Sequence, residues 1–77
     1  MTLCEVYTKY RSFRNMYNEF LNWAQEKRCR YAVERWYLRL SGALTMMSEV
    51  EQLSFEEYEQ VSDELSHLYY DLIADID

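Results

Sequence analysis

Apolar residues recur along this chain with the period of an α-helix, three times over. The first stretch reads Val6, Tyr10, Phe13, Tyr17, Phe20, Ala24, at spacings of 4, 3, 4, 3 and 4. The second reads Cys29, Val33, Trp36, Leu40, Ala43, Met47, Val50, with Tyr37 and Leu44 in a parallel row. The third reads Tyr58, Val61, Leu65, Leu68, Leu72, with Tyr69, Ile73 and Ile76 beside it. Such spacing places each set on one helix face and gives each helix one side to bury. The turn formers that β-sandwiches and barrels need are missing: there is no proline and one glycine in 77 residues. With 49% apolar and 17% aromatic residues, a natively disordered chain is excluded as well.

Local signals mark the ends of the stripes. Ser54 with Glu57 forms an S-x-x-E capping box, and Leu53 and Tyr58 occupy the positions of a hydrophobic staple. Thr2 with Glu5 offers the same box to the first stretch. Between the first two stretches no Gly or Pro breaks Gln25-Glu26-Lys27-Arg28, yet the stripe slips phase: Ala24 to Cys29 is five residues. In one straight helix that slip would point the two stripes in different directions. A turn or strong kink is expected there; one continuous helix pairing with a second copy is the alternative. Gly42 falls inside the second stripe, where a neighbouring helix or large ring in close approach would explain it, a kink or helix end being the competing reading.

The stripes carry Tyr, Phe, Trp and Ala in place of the Ile and Leu of extended two-stranded coils. The expected fold is therefore all-α: a compact three-helix bundle with helices over about 3–25, 29–51 and 55–75, forming a single helical domain over 1–77. Association into a dimer is left open, because a core this small is marginal by itself. Cys4 and Cys29 can form at most one bridge, and both are read as buried, inert thiols, with a disulfide or a reactive thiol as the alternative. The start MTLCEVYTKY has no apolar signal core, and no apolar run reaches membrane-spanning length. The expected location is the cytoplasm, with reduced thiols and no membrane partner.

Charge divides the chain. Residues 1–40 hold eight basic and four acidic side chains, a net +4. Residues 41–77 hold ten acidic side chains and no Lys or Arg, a net −10, giving −6 overall. In the third stretch Glu56, Glu59 and Asp63 fall on the face away from Tyr58, Val61 and Leu65, and Glu64 and Asp71 add charge on the flanks. Carboxylates at one-turn intervals can present negative charge as a phosphate backbone does, and their natural partner is a protein with a basic groove. A solvated acidic face that carries no function is the plainer reading. Exposed tyrosines, Tyr70 or Tyr31, would serve as contact anchors.

Enzyme chemistry finds little support. A single Gly allows no phosphate-binding loop. His67 with Asp63 and Asp71 could share a helix face and contribute metal ligands, but no second cluster completes the shell. Cys29 with His67 is a conceivable nucleophile and base, but Cys29 lies on an apolar stripe, where burial raises a thiol pKa. No catalytic residue, metal or cofactor is therefore expected. Arg28, Tyr31, Arg35 and Arg39 could form a basic face for phosphate contact and base stacking. The pI of about 4.7 weighs against direct nucleic-acid binding, and internal pairs with the acidic segment, each worth about 0–1 kcal/mol, would also account for these arginines.

The acidic stretch from Glu49 to Asp77, the eight tyrosines and the short unadorned chain resemble the small acidic proteins of phages and mobile elements, and among those the anti-CRISPR type of inhibitor. The resemblance is one of general character; no motif aligns, so no residue role is carried over. It implies inhibition without catalysis, by occupying a nucleic-acid or protein surface of a CRISPR effector. Partner-contacting residues are then expected among Glu56, Glu59, Asp63, Glu64, Tyr70 and Asp71. A helical regulatory or assembly module, its oppositely charged regions pairing in a homodimer, is the alternative, together with a small nucleic-acid binder using the Arg28–Arg39 face.

Overall fold

The computed structural model describes residues 2–76, and they form four α-helices: α1 (Leu3–Lys9), α2 (Arg11–Gln25), α3 (Arg30–Glu49) and α4 (Phe55–Ala74). The all-α class holds. The count of three does not, because the first stretch bends at Tyr10. That residue takes an extended conformation (φ −115°, ψ 108°) and serves as the end of α1 and the start of α2. Tyr10 N–H donates to the Val6 carbonyl as the last bond of α1 and the Tyr10 carbonyl accepts from Arg14 N–H as the first bond of α2, so the helical ladder breaks between them. The 4, 3 spacing of the stripe gives no sign of the break, and Val6 and Phe13 are buried on either side of it. Val6, Tyr7, Thr8 and Tyr10 are β-branched or aromatic and hold a helix weakly. The bend lets α1 lie against both α2 and α4, and the Tyr10 hydroxyl reaches the Gln52 carbonyl at 3.4 Å.

Both capping boxes form. Glu5 N–H donates to Thr2 Oγ1 at 3.2 Å and Thr2 N–H to Glu5 Oε1 at 3.3 Å. In α4, Glu57 N–H donates to Ser54 Oγ at 3.1 Å and Ser54 N–H to Glu57 Oε1 at 2.9 Å. The phase slip after Ala24 is a turn, and no continuous helix crosses it. Arg28 enters the left-handed region (φ 52°) and α3 starts anew at Arg30. The α3–α4 reversal uses Glu51 (φ 62°), with Gln52 N–H on the Met47 carbonyl and Glu51 N–H on the Ser48 carbonyl. This is a Schellman ending in which a glutamate holds the place glycine usually takes. Each left-handed side-chain residue costs about 1–2 kcal/mol, which the packed helices on either side offset.

The core draws on every element. Val6, Phe13, Phe20, Ala24, Val33, Leu40, Leu44, Met47, Leu53, Val61, Leu65 and Ile76 are buried. α3 is the central helix and touches both α2 and α4. Its inward line runs through Val33, Leu40, Leu44 and Met47, while Val50, placed on the stripe by its spacing, is 63% exposed beyond the end of the helix. Tyr37 stacks on Tyr69 at 4.2 Å between centroids, Tyr37 Oη lies 2.8 Å from Ser66 Oγ, and Thr45 Oγ1 lies 3.1 Å from Tyr58 Oη, so polar tips pin the α3–α4 seam. The radius of gyration, 12.1 Å, is close to the roughly 11.5 Å expected of a folded chain this long.

Two further expectations change. Both cysteines are free, but Cys4 is exposed on α1 and Cys29 is half-buried at the start of α3, so neither is a core thiol. Gly42 stands mid-helix with no bend and no neighbour: a methyl group in its place would meet nothing within 4 Å. Neither close packing nor a helix end accounts for it. Among the described residues, no helix is long and apolar enough to cross a membrane.

Candidate functional site

The acidic face begins with the way α4 is built. Its capping box and the two first-turn carboxylates of Glu56 and Glu57 suit the positive end of the helix dipole. The Ser54 backbone N–H, and then its hydroxyl, hold the Glu57 carboxyl below the usual carboxylate range. Val61 and Leu65 are fully buried, which fixes the rotation of the helix about its axis. Residues half a turn away must then face water, and Glu56, Glu59 and Asp63 do. They are spaced about 4.5 and 6 Å along the axis. One turn on, His67 Nδ1 lies 3.7 Å from Asp63 Oδ2, with both side chains about three-quarters exposed. Tyr70 continues the line at 63% exposure, its ring 5.3 Å from that of Tyr69. Partial burial pushes the Tyr69 hydroxyl up from its ordinary pKa. Asp71 is exposed beside Tyr70.

Glu64 departs from this pattern. It is half-buried and accepts the Leu3 N–H at 2.6 Å on Oε2, a charge-assisted bond that ties the first turn of α1 to the middle of α4. Its carboxylate is part of the fold. The solvent-facing ridge of α4 is therefore Glu56, Glu59, Asp63, Tyr70 and Asp71. Phe55, 67% exposed at the first position of α4, joins it at one end. Periodicity could have shown that placement, since Phe55 lies off the buried line of Val61 and Leu65.

Arg28, Arg35 and Arg39 are engaged elsewhere. Arg28 lies in the turn before α3, outside the face formed by Tyr31, Arg35 and Arg39, and its guanidinium donates to the Asp75 backbone carbonyl at the end of α4. Arg35 donates to the Tyr31 hydroxyl at 3.1 Å and lies over that ring, and Arg39 lies 4.6 Å over Trp36. Among the described residues, no Arg or Lys is ion-paired with Glu56, Glu59, Asp63 or Asp71. Among the described residues, the arginine pairing that would have neutralised these four carboxylates is not made.

Other constellations stay apart. Among the described residues, no group of three His, Cys, Asp or Glu side chains is arranged to hold a metal ion, so Asp63, His67 and Asp71 do not converge. Cys29 starts α3 and His67 lies within α4, with no hydrogen bond between them. A half-open cleft between α1, α2 and α4 is walled by Tyr7, Tyr17 and Leu21, with Cys4 at its edge. Burial, followed by the neighbouring Tyr7, raises the Tyr17 hydroxyl pKa. The chain matches no protein-family model, no curated protein and no solved structure.

Proposed function

We propose that this is a non-catalytic binding protein that uses the solvent ridge of α4 to occupy a basic, nucleic-acid-binding surface of a larger protein. The anti-CRISPR type of inhibitor, acting on a CRISPR effector, is the class of activity this reading favours. One observation carries it: Glu56, Glu59, Asp63 and Asp71 are exposed on one helix with an N-terminal capping box, while Arg28, Arg35 and Arg39 engage backbone and rings elsewhere. A preorganised line of unneutralised carboxylates steers association with a cationic groove and is weakened by salt. Tyr70 and Phe55 add exposed aromatic area on the same helix, of the kind that anchors interfaces.

The test is binding to a purified CRISPR effector–guide complex at low and raised salt, with competition by its DNA target. The triple reversal Glu56→Lys, Glu59→Lys and Asp63→Lys is expected to lower affinity at least about a hundredfold, roughly 2.7 kcal/mol. Far-UV circular dichroism should be unchanged, since all three side chains face water. Unaltered affinity in the triple variant rejects the ridge as the contact surface. Absence of binding by the wild-type chain rejects a CRISPR effector as the partner.

A further inference from the structure

Gly42 has no explanation within the molecule. It sits mid-way along α3, exposed, with open space above it. Arg35, Leu38, Met46 and Glu49 lie on the same outward side, and Leu38 and Met46 are 59% and 65% exposed. Read in reverse, this line is its own complement. Leu38 and Met46 stand four residues to either side of Gly42, and Arg35 and Glu49 stand seven to either side.

We propose that this face is the contact of an antiparallel homodimer whose two-fold axis passes beside Gly42. Two α3 helices crossing there place Gly42 against its twin, Leu38 against the partner's Met46, and Arg35 against the partner's Glu49. The axis makes every contact twice, as an isologous interface requires. The pairs fall about 6 and 10.5 Å from the axis along the helix. A residue without a side chain at the crossing lets the two backbones approach more closely than the usual 8–10 Å, roughly, between helix axes. A parallel arrangement would set Arg35 against its own copy and is disfavoured by like charge. An unrelated partner would have no reason to demand this reversal symmetry, which is why a second copy is the occupant. One helix pair is a small interface, so dissociation in the micromolar range is expected.

Sedimentation velocity from low-micromolar to near-millimolar protein tests the proposal. The wild-type chain should pass from monomer to dimer over that range. Gly42→Leu and Leu38→Glu should each weaken association at least about tenfold. Arg35→Glu and Glu49→Arg should each weaken it, and the double variant should recover it. With Cys4→Ser and Cys29→Ser in the background, Gly42→Cys should give a disulfide-linked dimer on mild oxidation and Leu38→Cys should not. The substituted side chains on α3 face solvent, so circular dichroism separates a lost contact from a lost fold. A chain that stays monomeric at near-millimolar concentration overturns the proposal, as does a dimer indifferent to Gly42→Leu and to the charge reversals. The α4 triple reversal should leave this dimer intact, so the two surfaces stand or fall separately.

Discussion

The two halves of the molecule treat their apolar side chains differently. In α1 and α2 every large apolar residue is buried or half-buried. Among the described residues the six exposed large ones, Tyr31, Leu38, Met46, Val50, Phe55 and Tyr70, all belong to α3, α4 or the reversal between them. The first half spends its aromatics on the core, through Phe13 and Phe20. The second half supplies core residues on one side of each helix and leaves rings, methyls and carboxylates on the other. Isolated exposed apolar residues are ordinary. Their confinement to two adjacent helices and the reversal between them, beside the acidic ridge, is why the proposed contacts are placed on the second half.

The largest effect should come from the buried half. Phe20→Ala should cost about 3–5 kcal/mol, a large share of a domain's roughly 5–15 kcal/mol. Tyr70→Ala, on the opposite side of the division, should stay within about 0.5 kcal/mol. Urea melts of the two variants would break the comparison if they lost stability equally. Removing the α4 cap with Ser54→Ala should cost about 1 kcal/mol in the same assay. Gly42→Ala should raise monomer stability by about 0.5–1 kcal/mol, the interior-helix cost of glycine, while weakening self-association. A thermal melt at low protein concentration checks the first part, and sedimentation the second.

The smallest effect is that of acid. The Glu57 carboxyl is held below its ordinary range in the folded chain. Its contribution is therefore present above the unfolded value, near about 4.3, and is lost as pH falls through the folded one. Wild type should be more stable than Glu57→Gln at neutral pH, and the gap should close in acid. A gap that persists unchanged at low pH would show that the charge plays no part in the cap.

What was legible in the sequence was local. The three stripes, the two capping boxes and the turn announced by the step from Ala24 to Cys29 each depend on residues within a turn or two of one another. The bend at Tyr10 was hidden because the apolar stripe keeps its 4, 3 spacing across it. Glu56, Glu59 and Asp63 could be placed from period alone, since the buried face of α4 dictates its opposite. Glu64 and Arg28 could not. Their partners, the Leu3 amide and the Asp75 carbonyl, are 61 and 47 residues distant in the chain. No local pattern encodes such a meeting.

The bond between Leu3 and Glu64 also bears on how the protein is made. On the ribosome the seven-residue α1 emerges before its acceptor and is too short to persist unaided. Its carboxylate acceptor is synthesised about sixty residues later. Until that residue is translated α1 has only α2 to pack on, so its docking onto α4 lags its own synthesis by about sixty residues.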